Sequence, residues 1–183
     1  MEDKADKKLK LLELIKKDAV FRGDYTLSSG KKSSYYIDLR LVTLSSEGAY
    51  LIGEVISDVL AKEKVDAIGG LTMGADPIAG AVAAISYKKG KPINAFIVRK
   101  EVKEHGKGKA IEGPLKKASR VAVIDDVATS GGSLIKAIES LEKEGHKIVK
   151  VMCLVDRGEG APEILSSKGY TLFSLYTKKD LGL

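Results

Sequence analysis

The spacing of hydrophobic positions predicts helices that alternate with short, buried strands along most of the chain. Apolar residues recur at helical spacing in some segments, and continuous apolar runs of strand length lie between them. Helices are predicted over 7–17, over a segment with its apolar face at 51–60, and over 78–87, 134–144 and 162–166. Strands are predicted over 65–70, 92–98, 121–124, 148–155 and 170–176.

Capping residues support the boundaries of three of these helices. Ser45 or Ser46 can cap the second helix, because a serine hydroxyl accepts a hydrogen bond from an unpaired N–H of the first turn. Asp76 as N-cap, with Pro77 at the first helical position, predicts the start of the third helix. Gly145 is a natural C′ residue and predicts the end of the fourth helix.

Strands that alternate with helices indicate an α/β fold, with a doubly wound, mostly parallel sheet of five strands flanked by helices. The extended segment 20–40 is set apart from these units and predicts a small antiparallel element near the N-terminus. Ligands of doubly wound sheets bind beyond the carboxyl ends of the strands. Four ligand-type segments leave such ends and are expected to share one rim: 70–76, 99–114, 125–133 and 156–158.

The segment 121–133 organises the chain, since a buried strand leads there into a loop of small residues and then into a helix. Hydroxyl groups and two glycines over 129–133, together with the N–H groups of the helix start, predict a phosphate cradle. Asp125 and Asp126 would repel phosphate, but they suit ribose hydroxyls or a Mg²⁺ ion carried by the ligand. For either aspartate alone, a helix cap is the simpler interpretation.

The pattern of helices and strands fails between 99 and 114. This stretch holds several basic side chains, a histidine and hinge-like glycines. A loop of this length inside a compact domain is usually functional or mobile. Closing over a bound diphosphate would neutralise its charge and exclude water, whereas a solvated basic surface is the alternative interpretation.

Length, charge and cysteine content narrow the class of protein. The 183 residues predict one domain, and 44% hydrophobic with 31% charged residues are typical of a globular protein. No apolar run approaches the length of a membrane span, and the single cysteine, Cys153, favours the cytoplasm. The net charge of +6 suits either nucleic acid or small polyanionic substrates.

Several motifs resemble those of a known enzyme family. The run VAVIDDVATSGGS at 121–133 resembles the 5-phosphoribosyl 1-pyrophosphate (PRPP) motif of type I phosphoribosyltransferases. The stretch RKxxKxHG at 99–106 is similar to the catalytic loop of orotate phosphoribosyltransferases, and TLSSGxxxxYYxDLR at 26–40 resembles the hood of that family. GLTMGADPIA at 70–79 resembles its pyrophosphate loop, and DLGL at 180–183 fits its C-terminus. The resemblance covers nearly the whole chain in the right order.

This resemblance implies an activity and an organisation. The expected reaction is the Mg²⁺-dependent transfer of a 5-phosphoribosyl group from PRPP to N1 of orotate, which gives orotidine 5′-monophosphate and pyrophosphate in pyrimidine biosynthesis. The resemblance implies one phosphoribosyltransferase domain over 1–183, with a hood formed mainly by 1–45 and the C-terminal end, and a mobile catalytic loop at 99–114. It also implies a homodimer with shared active sites, and neither a membrane nor a nucleic acid as partner.

The same resemblance assigns roles to individual residues. Lys103 and Asp126 are expected to be catalytic, while Tyr36, Thr129 and Arg157 are expected to contact orotate. Mg²⁺ is expected to be held mainly by PRPP and not by a protein ligand set. The residues expected to bind PRPP are Arg99, Lys100, Lys103, His105, Asp125, Asp126, Val127, Ala128, Thr129, Ser130, Gly131, Gly132 and Ser133.

The chain departs from the family at one position and leaves alternatives open. Many members have a substrate-contacting lysine where this chain has Ser28, and Lys31 or Lys32 is a candidate to supply that charge. Arg157 would suit the carboxylate of orotate, but a surface salt bridge with a neighbouring acid is the alternative. Two other functions compete: a phosphoribosyltransferase for a purine or uracil, and a PRPP-sensing regulator that binds nucleic acid.

Overall fold

The computed structural model describes residues 3–26, 30, 32–101 and 109–183 of the chain. A two-stranded antiparallel hairpin lies near the N-terminus, where β1 (Val20–Thr26) pairs with β2 (Lys32–Ile37). This hairpin is the antiparallel element that the extended pattern predicts. It forms a sheet of its own, separate from the central sheet.

The central sheet confirms the predicted architecture and adds one short strand. Its strands are β3 (Ala67–Leu71), β4 (Asn94–Val98), β5 (Ile111–Glu112), β6 (Arg120–Ala128), β7 (Lys147–Asp156) and β8 (Leu172–Thr177). They follow the order β5-β4-β3-β6-β7-β8, in which five strands pair in parallel as expected. The additional β5 is antiparallel to β4, and its two residues are too few to produce a hydrophobic pattern.

Strand β6 is longer than the sequence predicts. The apolar pattern ends at Ile124, but the strand continues through both aspartates to Ala128. Pairing with β7 explains the difference, because Asp125 lies opposite Cys153 and Ala128 lies opposite Asp156. Backbone hydrogen bonds of a parallel ladder do not depend on side-chain polarity, so a strand can extend beyond its hydrophobic run.

Six helices connect and cover the strands in the described part of the chain. They are α1 (Lys4–Asp18), α2 (Arg40–Thr43), α3 (Ser46–Leu60), α4 (Asp76–Lys88), α5 (Gly132–Lys143) and α6 (Ala161–Ser167). The four-residue α2 is too short to show a helical period and is not predicted from the sequence. Within the described ranges, none of these helices is both long and apolar enough to cross a membrane.

The predicted caps are partly confirmed. The hydroxyl of Ser45 accepts a hydrogen bond from the N–H of Gly48 at 3.0 Å, so Ser45 and not Ser46 is the N-cap of α3. The prediction that Asp76 caps α4 is wrong. The N-cap is Ala75, because its backbone is already helical and Asp76 becomes the first residue of the helix.

Two hydrophobic layers cover the two faces of the sheet, as a doubly wound fold requires. Along β6, Ala122 and Ile124 face the layer that contains α1, α3 and α4, and Val121 and Val123 face the layer with α5 and α6. This alternation buries both faces of the strand. The C-terminus lies against the hairpin, where the guanidinium of Arg22 donates a hydrogen bond to the carbonyl of Gly182 at 2.8 Å.

Candidate active site

Two adjacent carboxylates lie at the carboxyl end of the central strand β6. The N–H of Asp126 donates to Oδ1 of Asp125 at 3.0 Å, and the N–H of Val127 donates to Oδ1 of Asp126 at 2.9 Å. Each side chain is therefore held by the backbone that follows it. Since the strand runs to Ala128, the loop between β6 and α5 is only 129–131, shorter than the predicted loop over 125–133.

The loop after β3 approaches both carboxylates at Gly74, a residue without a side chain. A Cβ atom on Gly74 would lie 2.5 Å from Oδ1 of Asp126 and 2.9 Å from Oδ1 of Asp125. Real Cβ atoms do not come this close, so a side chain at position 74 would force the loop or the carboxylates to shift. Two of the four segments expected to share a rim are thus joined, and sequence reasoning named Gly74 only as part of a motif.

Burial and mutual repulsion raise the pKa of Asp125 to about 8. Loss of hydration is the largest cause, and the charge and hydrogen bond of Asp126 add to it. The positive charge of Lys100 acts in the opposite direction, which shows that the start of the basic segment lies within electrostatic reach of Asp125. The Asp125 carboxyl therefore keeps its proton to a higher pH than an ordinary aspartate, and an incoming cation would change this balance.

The predicted phosphate cradle leads into the start of α5. Gly131 is the N-cap of this helix and has a left-handed backbone with φ of +80°. A Cβ atom there would lie 2.9 Å from the side chain of Ile164 in α6, so both conformation and packing select glycine. The N–H groups of the first turn have no acceptor within the helix, and they give the loop its capacity for an anion.

Arg157 follows β7 directly and is nearly buried, with 8% of its surface exposed. Its N–H donates to the carbonyl of Ala128 at 3.0 Å, which fixes it beside the end of β6. One guanidinium nitrogen contacts Oε1 of Glu159 at 2.9 Å, so the predicted salt bridge forms with Glu159. Among the described residues, Nε of Arg157 has no hydrogen-bond partner, so the fork keeps a free donor.

The hairpin contributes aromatic side chains to the same region. The guanidinium of Arg157 lies over the ring of Tyr35, 5.1 Å from its centre. Tyr36 points to the opposite face of the strand, is 38% exposed, and contacts the ring of Tyr25 at 5.7 Å between centres. The structure therefore places Tyr35, and not Tyr36, on Arg157, and the predicted contact of Tyr36 with orotate stays a prediction.

Arg40 is a charged residue near the rim that sequence reasoning named only within the hood motif. Its guanidinium forms a two-point contact with Asp38, with both N–O distances at 2.8 Å. The Asp38 carboxylate raises the pKa of Arg40 above its usual range, and the charges of Tyr36 and Asp126 add to this effect. The spacing Asp-x-Arg is a signal that could have suggested the pair.

The predicted catalytic loop is described only at its two ends. Arg99 forms a salt bridge with Glu112, with Nε at 3.2 Å from Oε1, and its N–H donates to the carbonyl of Ala110. These contacts close the base of the loop. Lys103 and His105, which the sequence predicts to act on pyrophosphate, lie outside the described residues.

The carboxylates can supply oxygen ligands to a cation but do not form a complete metal site. Across the described ranges, no group of three or more histidine, cysteine, aspartate or glutamate side chains is arranged to hold a metal. Asp76, the nearest further carboxylate along the pyrophosphate-type loop, accepts a hydrogen bond from the hydroxyl of Thr72 at 2.6 Å. A Mg²⁺ ion at this rim would need most of its oxygen ligands from a bound molecule.

We use the term catalytic rim for Asp125, Asp126, the loops at 72–76 and 129–131, and Arg157. The rim combines acceptors for hydroxyl groups, a helix start suited to phosphate, and a buried guanidinium with a free donor. Each part follows the carboxyl end of a neighbouring parallel strand, β3, β6 or β7. This arrangement suits a phosphorylated sugar together with a second, acidic ligand.

Comparisons with known proteins agree with this description. A family model described as phosphoribosyl transferase domain matches residues 44–173. The orotate phosphoribosyltransferase of Corynebacterium glutamicum is 45% identical over 179 residues, which covers 98% of this chain and 96% of that protein. The Streptomyces coelicolor enzyme of the same name is 44% identical over 174 residues, or 94% and 96% of the two chains.

Solved structures give the same result for the fold. The crystal structure of Mycobacterium tuberculosis orotate phosphoribosyltransferase in complex with PRPP has a TM-score of 0.82 at 37% identity, and the match covers 97% of this chain and 99% of that one. The complex of that enzyme with Fe(III) dicitrate has a TM-score of 0.86 at 38% identity, with the same coverage.

Proposed function

This chain belongs to the orotate phosphoribosyltransferase family, and we propose that its catalytic rim carries out the family's reaction. The enzyme transfers the 5-phosphoribosyl group of PRPP to N1 of orotate in pyrimidine biosynthesis. The bond between C1 of the ribose and the pyrophosphate oxygen breaks, a bond from C1 to N1 forms, and N1 of orotate loses its proton. The observation that supports this proposal most is the contact of Gly74 with both carboxylates, because it joins a pyrophosphate-type loop to a ribose-type site.

The 5-phosphate of PRPP would bind at the start of α5. Backbone N–H groups there and the hydroxyls of Thr129, Ser130 and Ser133 would donate to its oxygens, and the helix dipole would favour its charge. Val127 and Ala128 belong to the strand that leads into this loop. They would position the loop and would not donate hydrogen bonds to the phosphate. Asp125 and Asp126 would accept hydrogen bonds from the ribose hydroxyls, since a carboxyl group has accepting oxygens in either protonation state and more of them when it is ionised.

Charge stabilisation would supply most of the rate. The ribose gains positive charge as pyrophosphate leaves, as in other glycosyl transfers, and the carboxylate of Asp126 lies where it could stabilise that charge. Arg99 and Lys100 start the basic segment, and Lys103 and His105 follow them in sequence. We assign neutralisation of the departing pyrophosphate to this set, with Lys103 as the principal residue.

Orotate would bind between the hairpin and the end of β7. The unpaired Nε donor of Arg157 would bind the carboxylate of orotate, while one terminal guanidinium nitrogen stays paired with Glu159. The cation–π contact with the ring of Tyr35 helps to hold the guanidinium in place. Tyr36 and Thr129 are the further orotate contacts in this proposal, and uracil, which lacks the carboxylate, should be a poor substrate.

Mg²⁺ would be held mainly by oxygens of PRPP, with Asp125 and Asp126 available as the protein's acceptors. The fit is supported by the chemistry of the site, since two adjacent carboxylates are suitable but insufficient ligands for this ion. When bound, Mg²⁺ supplies positive charge to the diphosphate. The protein's own part is to keep the carboxylates oriented through the N–H groups of Asp126 and Val127.

We further propose that the enzyme is a homodimer of the cytoplasm. Leu41, Leu44 and Met73 are large apolar side chains that are 50%, 69% and 62% exposed. They lie beside Arg40 and Gly74, both of which interact with Asp126, so an apolar surface borders the catalytic rim. A second copy that covers this surface would remove these three side chains from water. The buried, unpaired Cys153 supports a reducing compartment.

The decisive experiment is to follow the loss of orotate absorbance after PRPP is added, with and without Mg²⁺. Loss that requires Mg²⁺, with one pyrophosphate released per orotate consumed, would establish the activity. Uracil, adenine and hypoxanthine serve as matched bases without the carboxylate of orotate. PRPP binding with no consumption of orotate would contradict the proposal. Turnover of one of the other bases in place of orotate would show that the enzyme is a different phosphoribosyltransferase. The relatives are enzymes, so they do not support the nucleic-acid-binding regulator.

A further inference from the structure

A cavity lies at the end of the sheet opposite the catalytic rim. It has a volume of about 400 Å³ and opens between the C-terminal ends of α3 and α4. Val65 and Ile93, which precede β3 and β4, contribute to its wall. Because the rim lies at the carboxyl ends of β3, β6 and β7 and the cavity lies before the start of β3 and β4, the two are at opposite ends of the sheet.

Ser57, a residue of the cavity wall, has a buried hydroxyl without a partner. Ser57 is 5% exposed, and within the described part of the chain its Oγ has no hydrogen-bond partner. Ser86 in the same wall is satisfied, since its Oγ contacts the carbonyl of Ala83 and the N–H of Ile93 at 3.0 Å. An unpaired buried hydroxyl is unfavourable in an empty protein, so Ser57 indicates a missing hydrogen-bonding group.

Among the described charged residues around the cavity, the acidic side chains are paired and one lysine has no acidic partner. Asp58 contacts Lys89 at 3.0 Å and Lys4 at 3.5 Å, so its negative charge is compensated. The carboxylate of Glu63 is paired with Lys150 at 3.1 Å. Lys91 also lines the cavity, and no ion pair to its ammonium group occurs among the described residues. An additional negative charge is therefore favoured at this position.

The remaining wall is apolar. Leu60 is 1% exposed and Ile93 is 8% exposed, and Val65 and Pro92 lie beside them. Pockets for small molecules typically measure roughly 300 to 1,000 Å³ and combine a mostly apolar wall with a few polar groups. A ring or a short hydrocarbon chain could pack against this wall, because it has no polar groups that would need a hydrogen-bond partner there.

We propose that this cavity binds a small organic anion. The apolar body of the ligand lies against Leu60, Val65 and Ile93, a polar atom pairs with Oγ of Ser57, and the carboxylate or phosphate contacts Lys91. The site does not depend on the function assigned to the catalytic rim. It differs from the rim in chemistry as well, because its acidic groups are already neutralised by lysines.

Two ring-bearing probes, benzoate and phenyl phosphate, test this site and distinguish a carboxylate from a phosphate ligand. Benzyl alcohol has the same ring without charge and serves as the neutral control. Binding is followed by the methyl NMR signals of Leu60, Val65 and Ile93 in the full-length protein. The methyl signals of Val127 report separately on any binding at the rim.

We expect saturable shifts of the three cavity residues with at least one anionic probe, and binding of benzyl alcohol that is at least about tenfold weaker. Lys91→Met should weaken the anion about tenfold, and Ser57→Ala about fivefold. Lys88→Met removes the same charge from the last turn of α4 outside the cavity, and should leave the affinity unchanged. Ser57→Ala should fold normally, because it removes an unpaired hydroxyl.

Three results would overturn the proposal. The first is the absence of shifts at the cavity residues with either anion up to about 10 mM, a concentration that detects even millimolar affinity. The second is equal affinity for benzoate, phenyl phosphate and benzyl alcohol. The third is an affinity that Lys91→Met and Ser57→Ala leave intact, since the anion would then be held elsewhere.

Discussion

The backbone of Gly74 is packed against the carboxylate of Asp126, with no room for a Cβ atom between them. The virtual Cβ position is 2.5 Å from Oδ1 of Asp126, well inside contact distance. This contact determines the separation of the pyrophosphate-type loop from the carboxylates. It is therefore a direct link between the geometry of one loop and the orientation of a side chain on another strand.

Replacing Gly74 with alanine should reduce kcat strongly, because either the loop or the Asp126 carboxylate must move. We expect a loss of about 10²-fold, the effect that a displacement of roughly 1 Å can have on a positioned group. The measurement is steady-state turnover of orotate and PRPP. Gly80→Ala in α4 is the matched control, since no atom lies within 4 Å of its added methyl group. Unchanged turnover in Gly74→Ala would contradict a positioning role for this contact.

Asp125 should make the folded protein less stable as the pH rises. Its pKa is raised to about 8 in the folded state, against an ordinary value near 4, so over this interval the folded chain holds a proton that the unfolded chain has lost. Stability due to this group is complete below about pH 4 and is lost as the pH passes through 8. The loss is at most about 1.4 kcal/mol per pH unit.

The test compares the free energy of unfolding of the wild type and Asp125→Asn from pH 5 to pH 9, by urea denaturation. The amide cannot ionise, so the variant should gain stability relative to the wild type as the pH increases. Asp24→Asn, on the exposed strand β1, is the control and should follow the wild type. A constant difference between Asp125→Asn and the wild type across this range would show that Asp125 does not hold a proton.

Hydrophobic spacing was sufficient to predict the five parallel strands, because each strand appears in the sequence as an apolar run of its own. Val121 and Val123 face one layer, and Ala122 and Ile124 face the other. The same reasoning ended the strand at Ile124, since the pairing that extends it comes from β7. Short elements such as β5 and α2 have too few residues for any period to be visible.

The candidate site was predictable in its residue types and not in its contacts. Asp125 and Asp126 could be identified from their position after an apolar run. The contact of Arg157 with Tyr35, in contrast, joins residues 122 positions apart and depends on how the hairpin lies over the sheet. The unpaired hydroxyl of Ser57 was also invisible, because only the packed structure shows that no partner reaches it.

Ser45→Ala should destabilise the protein by about 1 kcal/mol, the usual cost of losing a serine N-cap. The hydroxyl accepts from the N–H of Gly48 and donates to the carbonyl of Val42, both at 3.0 Å. Thermal unfolding measures the change. Ser46→Ala is the control, because Ser46 is exposed and lies within α3. Equal melting temperatures for the two variants would argue against a capping role for Ser45.

Arg157→Lys should raise KM for orotate by about tenfold or more while KM for PRPP stays near the wild-type value. Lysine keeps the charge but loses the planar fork, and with it the Nε donor and the stacking on Tyr35. Steady-state kinetics with each substrate varied in turn provides the measurement. Arg120→Lys makes the same chemical change at the far end of β6, where the side chain binds the carbonyl of Lys64. An equal rise in both KM values would mean that Arg157 supports the rim in general and not orotate in particular.

Lys103→Ala should lower kcat by about 10²-fold with little change in the affinity for orotate, because a cation on the departing pyrophosphate acts mainly in the transition state. Orotate affinity is measured by equilibrium titration and kcat by the absorbance assay. Lys109→Ala removes a charge from the exposed far end of the same basic segment, and we expect near-normal turnover. If Lys103→Ala weakened orotate binding as much as it slowed turnover, the lysine would be a ground-state contact. Neutralisation of the departing pyrophosphate would then depend on Lys100, whose positive charge acts on the pKa of Asp125.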